Sequence, residues 1–413
     1  MTSSISKSST LPFGNLPNEM IMKVFSHLDI PELASTSLAS KHFQGLANDW
    51  ATWSSVIDKI GLKNLEDKDV SEKKQKIKKI HELGKLYFPE VIEEPITIEN
   101  TIETIRRIHE IKIRDTLKIW EKIYEQAEHI AGKPDIEIPK FDELKKSTDK
   151  KYIKQVFAKW INNNKDNFNL TELDLRISGL LYLPKEIGNL SNLQVLKLSR
   201  NNLTSIPKKI GNLAQLQLLD LSDNKLTSVP KEIGNLSNLQ VLYLARNKLT
   251  SVPKEIGALA QLKRLYLSDN KLTSIPKAIE KLVQLQYLYL YNNNLASIPK
   301  AIEKLTQLKE LCLSNNKLSS IPNEIGSLSQ LQTLDLNNNN LTSIPKEIGD
   351  LALLEELRLY NNPITYYPEC LDRLTNTNIF VKNHILIVHE IIRFLGGHIA
   401  HHLYNKIYGP ITE

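Results

Sequence analysis

Apolar positions follow a strict long-period rhythm over the second half of the chain. In the segment that opens at Leu193 they are Leu193, Leu196, Leu198, Leu203, Ile206, Ile210 and Leu213. The step of two between Leu196 and Leu198 is strand-like alternation, and the wider steps after it describe a bend. The phrase LxxLxLxxNxLxxIPxxIGxL returns every 23 residues, from Leu170, Leu193, Leu216, Leu239, Leu262, Leu285, Leu308, Leu331 and Leu354, which makes nine units. A unit of this length cannot enclose its own leucines. Stacked neighbours must therefore share one continuous core, and the pattern predicts a solenoid with one short strand per unit.

Two polar or rigid positions sharpen this picture. Asn201, Asn224, Asn247, Asn270, Asn293, Asn316, Asn339 and Asn362 recur where the chain leaves its strand. Backbone N–H and C=O groups lose their ladder partners there, and a buried amide supplies both a donor and an acceptor. The Ile-Pro or Val-Pro step that follows, as at Ile206-Pro207, disfavours α-helix and predicts an extended or 3₁₀-like outer side. These in-phase copies resemble the leucine-rich repeat family over Leu170 to about Leu374. The resemblance implies an α/β solenoid with a curved parallel sheet over 170–375. Ser178 replaces the asparagine in the first copy, and Tyr367 precedes Pro368 in the last, as terminal copies do.

Helical patterns flank the repeats. Before them, STDKKYIKQVFAKWINNN offers Thr148 or Asp149 as a helix cap. Tyr152, Val156 and Trp160, with Ile153, Phe157 and Ile161, then follow at i, i+4 spacing. This helix is expected to cover the first repeat, within a linker-and-cap region 133–169 joined at GKPDIEIPK. Residues 54–132 are Lys/Glu-rich with a stripe of Ile102, Ile105, Leu117, Trp120, Tyr124 and Ala127, expected to be a helical spacer. After the repeats, Ile385, Val388, Ile391, Ile392 and Leu395 predict a helix within 376–413 that covers the open end of the sheet.

Near the start, LPNEMIMKVFSHLDIPELASTSLASKHFQGLANDWATW has an amphipathic stripe of Ile21, Val24, Phe25 and Leu28, and Pro31 stands where a second helix can begin. About forty residues cannot bury enough surface to be secure alone. The order Leu16, Pro17, Glu19, Val24, Phe25, Leu28, Asp29, Glu32, Leu33, Lys41, Phe43, Leu46, Ala47, Asp49, Trp53 resembles the all-α F-box, spanning 11–53. His27 departs from a position where the family often has an aromatic. The resemblance implies docking onto the Skp adaptor, and through it a cullin, by Leu16, Pro17, Ile21, Val24, Phe25, Leu28, Pro31 and Leu33. The plainer alternative is that the same residues form the core of a small helical domain.

If the repeats form strands, residues between the strand leucines point out of the concave face. That column reads Asp174, Lys197, Asp220, Tyr243, Tyr266, Tyr289, Cys312, Asp335 and Arg358. Aromatic and arginine side chains are enriched at protein-binding hot spots, so Tyr243, Arg264, Tyr266, Tyr287, Tyr289 and Tyr291 are the candidate substrate-binding residues. The competing explanation is that tyrosine suits a strand.

Composition narrows the alternatives. The formal charge of +6 arises from 53 basic and 47 acidic residues interspersed along the chain, which fits solubility better than a nucleic-acid footprint. The two cysteines, Cys312 and Cys370, form no metal or disulfide framework, and a reducing, cytosolic setting is expected. No Sec-type signal or membrane-length apolar run is present in the sequence. YPECLDRL resembles the Cys-x-Asp-Arg element of bacterial leucine-rich-repeat ubiquitin ligases, but the repeat's own phase puts Cys370 at an ordinary variable position. His384, His389, His398, His401 and His402 have no carboxylate or cysteine spaced to complete a metal site, and no cofactor is expected. The combined resemblance implies a non-catalytic substrate receptor of a Skp/cullin/F-box ubiquitin ligase; a plain scaffold for a signalling protein is the rival. Short, near-identical repeats of bacterial type and a Lys, Asn and Ile-rich composition suggest an effector that an intracellular bacterial pathogen delivers into host cytoplasm.

Overall fold

The computed structural model describes residues 98–128, 144, 150–164, 170–364 and 369–380. The candidate adaptor-binding positions from Leu16 to Leu33 and the tail 381–413, with its proposed covering helix and histidines, lie outside the described residues. The chain divides into two units, Met1–Ile111 and Lys112–Glu413, and the second holds the repeats.

Ten parallel strands form one sheet in chain order: β1 (Glu172–Asp174), β2 (Val195–Lys197), β3 (Leu218–Asp220), β4 (Val241–Tyr243), β5 (Arg264–Tyr266), β6 (Tyr287–Tyr289), β7 (Glu310–Cys312), β8 (Thr333–Asp335), β9 (Glu356–Arg358) and β10 (Asn378–Phe380). From β1 to β9 the register equals the repeat, so Leu196 pairs with Leu219 and Leu219 with Leu242. Each middle leucine is fully buried while its two strand neighbours look outward. The buried leucines and isoleucines of every repeat join one continuous core.

The asparagine column does what its position requires. Oδ1 of Asn270 accepts the Leu249 N–H at 3.0 Å, and its Nδ2 donates to the carbonyls of Leu244 at 2.9 Å and Leu267 at 3.1 Å. One side chain thus ties its own turn to that of the preceding repeat. The same set recurs at Asn201, Asn293, Asn316 and Asn339. On the opposite side each proline, extended at φ near −67° in Pro253, starts a one-turn 3₁₀ segment such as Lys254–Ala258, the second of the two conformations expected there.

The sheet is one strand longer than nine repeats imply. Thr377 stands where the phrase has its opening leucine and donates its hydroxyl to the Leu354 carbonyl at 2.6 Å. The strand then arrives one residue early, Ile379 pairing with Leu357. A lost leucine and a 22-residue step hide β10 from the 23-residue pattern, and it occupies ground assigned to the capping helices of 376–413.

The N-terminal end is closed by two helices. In α2 (Lys150–Asn164) Ile153, Phe157, Trp160 and Ile161 are buried, while Tyr152 is exposed. They meet Leu117, Trp120 and Ile123 of α1 (Ile98–Glu128), with the Trp120 ring 5.2 Å from Phe157 and 5.4 Å from Trp160. Gln126 imitates a neighbouring strand: its amide donates to the Asp174 carbonyl at 3.0 Å and accepts the Asp174 N–H at 3.1 Å. The buried Asp115 carboxylate accepts the N–H groups of Leu181 and Tyr182 at 2.7 and 2.8 Å. The second half of α1, which the periodicity assigned to a spacer, therefore belongs to the cap, because β1 would otherwise leave an edge unpaired.

The residue before each asparagine, and before Ser178 in the first repeat, is left-handed, with φ between 52° and 55° from Ile177 to Asn361. Asparagine and aspartate tolerate this region, whereas a β-branched residue there is an outlier. Ile177 carries that strain with 71% of its surface exposed. Ile177→Asn is expected to raise stability by about 1 kcal/mol. Asn270→Ala, which strands a buried N–H and buried carbonyls, is expected to lower it by at least about 2 kcal/mol. Urea unfolding midpoints measure both.

Candidate functional site: the concave face

The 23-residue register converts a sequence column into a row of side chains one strand apart. Tyr243 pairs in register with Tyr266, and Tyr266 with Tyr289. Their rings stack, with centroids 4.4 Å and 4.8 Å apart and interplanar angles of 18° and 4°. Those separations match the strand spacing, so the sheet itself sets the stack. In the next column Arg264 lies with its guanidinium carbon 5.2 Å from the centre of the Tyr287 ring, a cation–π contact. Five of the six candidate residues are thus brought into direct contact in two adjoining rows. Tyr291, two positions past the strand, is half-buried and joins neither row.

Neighbouring groups complete the surface, and the strand column alone did not single them out. The Tyr289 hydroxyl donates to the Glu310 carboxylate. Burial, that hydrogen bond and the charge of Glu310 all hold the Tyr289 phenol well above its usual range. Tyr266 is also raised, by burial first and by Tyr243 second. Both phenols stay protonated as donors at neutral pH. Asp220, in register with Tyr243, accepts the Ser222 N–H at 3.0 Å and the Ser222 hydroxyl at 2.6 Å. Glu310 was legible only through register, since it faces Tyr287 across the strand pair. At the far end Arg358 donates to Glu356 at 2.8 Å and approaches Asp335 at 3.8 Å.

Residues 13–58 match the F-box-like family model. Residues 168–226 match the leucine rich repeat model, and 208–311 and 296–385 match the leucine-rich repeat region model. The chain is an F-box-like protein with C-terminal leucine-rich repeats. Among solved structures, a Leptospira interrogans LRR protein is 35% identical, with a TM-score of 0.43, over 56% of this chain and 71% of that one. The plant peptide hormone receptor RGFR1 in complex with RGF2 is 36% identical, with a TM-score of 0.45, over 48% of this chain and 33% of the receptor. The LRR ectodomain of the Arabidopsis thaliana receptor kinase GASSHO1/SCHENGEN3, in complex with CASPARIAN STRIP INTEGRITY FACTOR 2, is 34% identical, with a TM-score of 0.40, over 48% of this chain and 28% of that one. No curated protein shows a significant match.

Neither cysteine of this F-box-like protein is set up as a nucleophile. Cys370, at a variable position of the repeat, is buried in the core, its Sγ 3.8 Å from the Pro345 carbonyl, and burial pushes its thiol up. Cys312 sits beside the tyrosine stack, its thiol pushed up to about 12 by burial and by Asp335 and Glu310. A thiolate is the reacting form. Among the described residues no group of His, Cys, Asp or Glu is arranged to hold a metal ion, and no helix is long and apolar enough to cross a membrane. At pH 8 iodoacetamide is expected to alkylate Cys312 at least about 100-fold more slowly in the native protein than in urea, because an ordinary thiol near 8.5 is far more ionised. Mass spectrometry of timed samples reads this directly.

Proposed function

We propose that the chain is the substrate-recognition subunit of a Skp/cullin/F-box ubiquitin ligase. The single observation that carries this reading is the union, in one chain, of an F-box-like segment at 13–58 with a long repeat face whose centre presents stacked tyrosines. The first end binds the Skp adaptor through Leu16, Pro17, Ile21, Val24, Phe25, Leu28, Pro31 and Leu33. The second end holds a protein through Tyr243, Arg264, Tyr266, Tyr287, Tyr289 and Tyr291. The chain contributes no catalytic residue; it acts by raising the effective concentration of substrate lysines near the ubiquitin carrier. Both ends are protein-binding surfaces, so neither a cofactor nor nucleic acid enters the mechanism.

The aromatic rows support the binding role on physical grounds. Tyrosine offers a large contact area with few rotors, and stacking has already removed most of the freedom these rings would lose on binding. Arg264 on Tyr287 is held by the same means. The compact, near-identical repeats and the Lys, Asn and Ile-rich composition support an origin as a bacterial effector working in host cytoplasm on a borrowed ligase. A eukaryotic gene without bacterial relatives would overturn that origin while leaving the ligase role standing.

Purified full-length chain is expected to retain the Skp adaptor in a pull-down, and the Leu16→Ala, Pro17→Ala double variant to lose at least about tenfold in affinity, the scale of a lost interface anchor. Absence of binding by the unaltered chain removes the ligase reading and leaves the scaffold reading. Tyr266→Ala is expected to leave adaptor binding unchanged while lowering the recovery of partner proteins in proximity labelling.

A further inference from the structure

The centre of the concave face has a charge opposite to that of the chain. On strands β3–β9, the outward strand positions and the two residues past each strand's closing leucine carry six acids (Asp220, Asp223, Asp269, Glu310, Asp335, Glu356) against three bases (Arg246, Arg264, Arg358). One position before the strands, Lys263, Lys309 and Glu355 reduce this excess without removing it. The formal charge of the whole chain is +6. Internal pairing accounts for most of the acids. Asp223 and Asp269 share Arg246 at 3.5 and 4.0 Å, and Asp335 and Glu356 share Arg358 at 3.8 and 2.8 Å. Arg264 is committed to Tyr287.

Two carboxylates remain with no ion pair among the described residues, and they bracket the tyrosine stack. Asp220 accepts the Ser222 N–H and hydroxyl, while the nearby cations Lys197 and Arg176 are paired with Glu172 and Asp174, and Glu310 accepts the Tyr289 hydroxyl. Inside the stack the ring faces cover one another, which leaves the outer face of Tyr243, towards β3 and Asp220, and the outer face of Tyr289, towards β7 and the short Cys312. An aromatic face beside a carboxylate that is in no ion pair suits an alkylammonium or guanidinium group.

Accepting the concave face as the substrate-binding surface, we infer that it recognises a basic, extended segment of its protein partner, one Lys or Arg side chain lying over Tyr243 against Asp220 and a second over Tyr289 against Glu310. The four strand steps from β3 to β7 span roughly 19 Å, which an extended chain covers in about six residues. The predicted motif is therefore two cationic residues about five or six positions apart, with apolar or small residues crossing the tyrosine edges. The acidic surplus also steers such a segment towards the face and disfavours acidic or phosphate-bearing ligands.

The test is selection of random dodecapeptides on the full-length chain, on its Asp220→Asn, Glu310→Gln variant and on its Tyr243→Ala, Tyr266→Ala, Tyr289→Ala variant, all first matched by circular dichroism. Asparagine at 220 keeps the Oδ1 acceptor for Ser222, so the first variant changes charge with little change of shape. The unaltered chain is expected to enrich paired Lys or Arg at a spacing of five or six. The charge variant is expected to lose that enrichment, and a synthetic selected peptide to bind it at least tenfold more weakly. Enrichment of acidic or uncharged peptides that depends on the tyrosines overturns the basic-segment inference alone. Basic enrichment that persists in the charge variant overturns it as well. Absence of any enrichment, or enrichment indifferent to the tyrosines, overturns this inference and the assignment of the binding face together.

Discussion

The structure rests on a buried amide repeated at a fixed interval. Each strand is three residues long, and the chain must turn out of it while still inside the core, where an unpaired N–H or C=O is costly. Asparagine resolves this with one acceptor and two donor hydrogens, binding the Leu249 N–H and the Leu244 carbonyl of the previous repeat as well as its own Leu267 carbonyl in the case of Asn270. Because those partners lie 21 and 26 residues back, the interaction specifies the interval between repeats along with the turn. Leucines then stack on leucines and the core runs without a break from the N-terminal cap to β10.

That constraint has a direct consequence for the binding face. With strands held in register, any residue type repeated in the column between leucines becomes a row of side chains at strand spacing. Three consecutive tyrosines stack because the sheet places them 4.4 and 4.8 Å apart, and Arg264 meets Tyr287 for the same reason. The result is a preordered aromatic surface on a rigid support, a favourable basis for capturing another protein. In the proposed function the F-box-like segment at 13–58 gives the same chain a second attachment point, so that it works as a bridge with chemistry supplied by bound partners.

The ends of the solenoid depend on a different device. At the N-terminal side Gln126 and Asp115 provide the hydrogen bonds that a preceding repeat would have made, and Trp120, Phe157 and Trp160 provide the apolar cover. At the other side Thr377 replaces a leucine and β10 closes on β9 with a shortened step. Terminal units depart from the consensus because they face a different neighbour, so a periodic template loses them first.

Period, strand position, the asparagine turns and the tyrosine column could all be derived from residue order, because each depends on contacts that the repeat itself duplicates every 23 residues. The identity of the cap beyond α2, the existence of β10 and the contact of Glu310 with the tyrosine stack could not. Gln126 and Asp174 are 48 residues apart, and Tyr289 and Glu310 are 21. Such encounters carry no local signature. They arise only when the coil brings distant positions onto one surface, where packing and charge pairing select which side chains remain available to a partner.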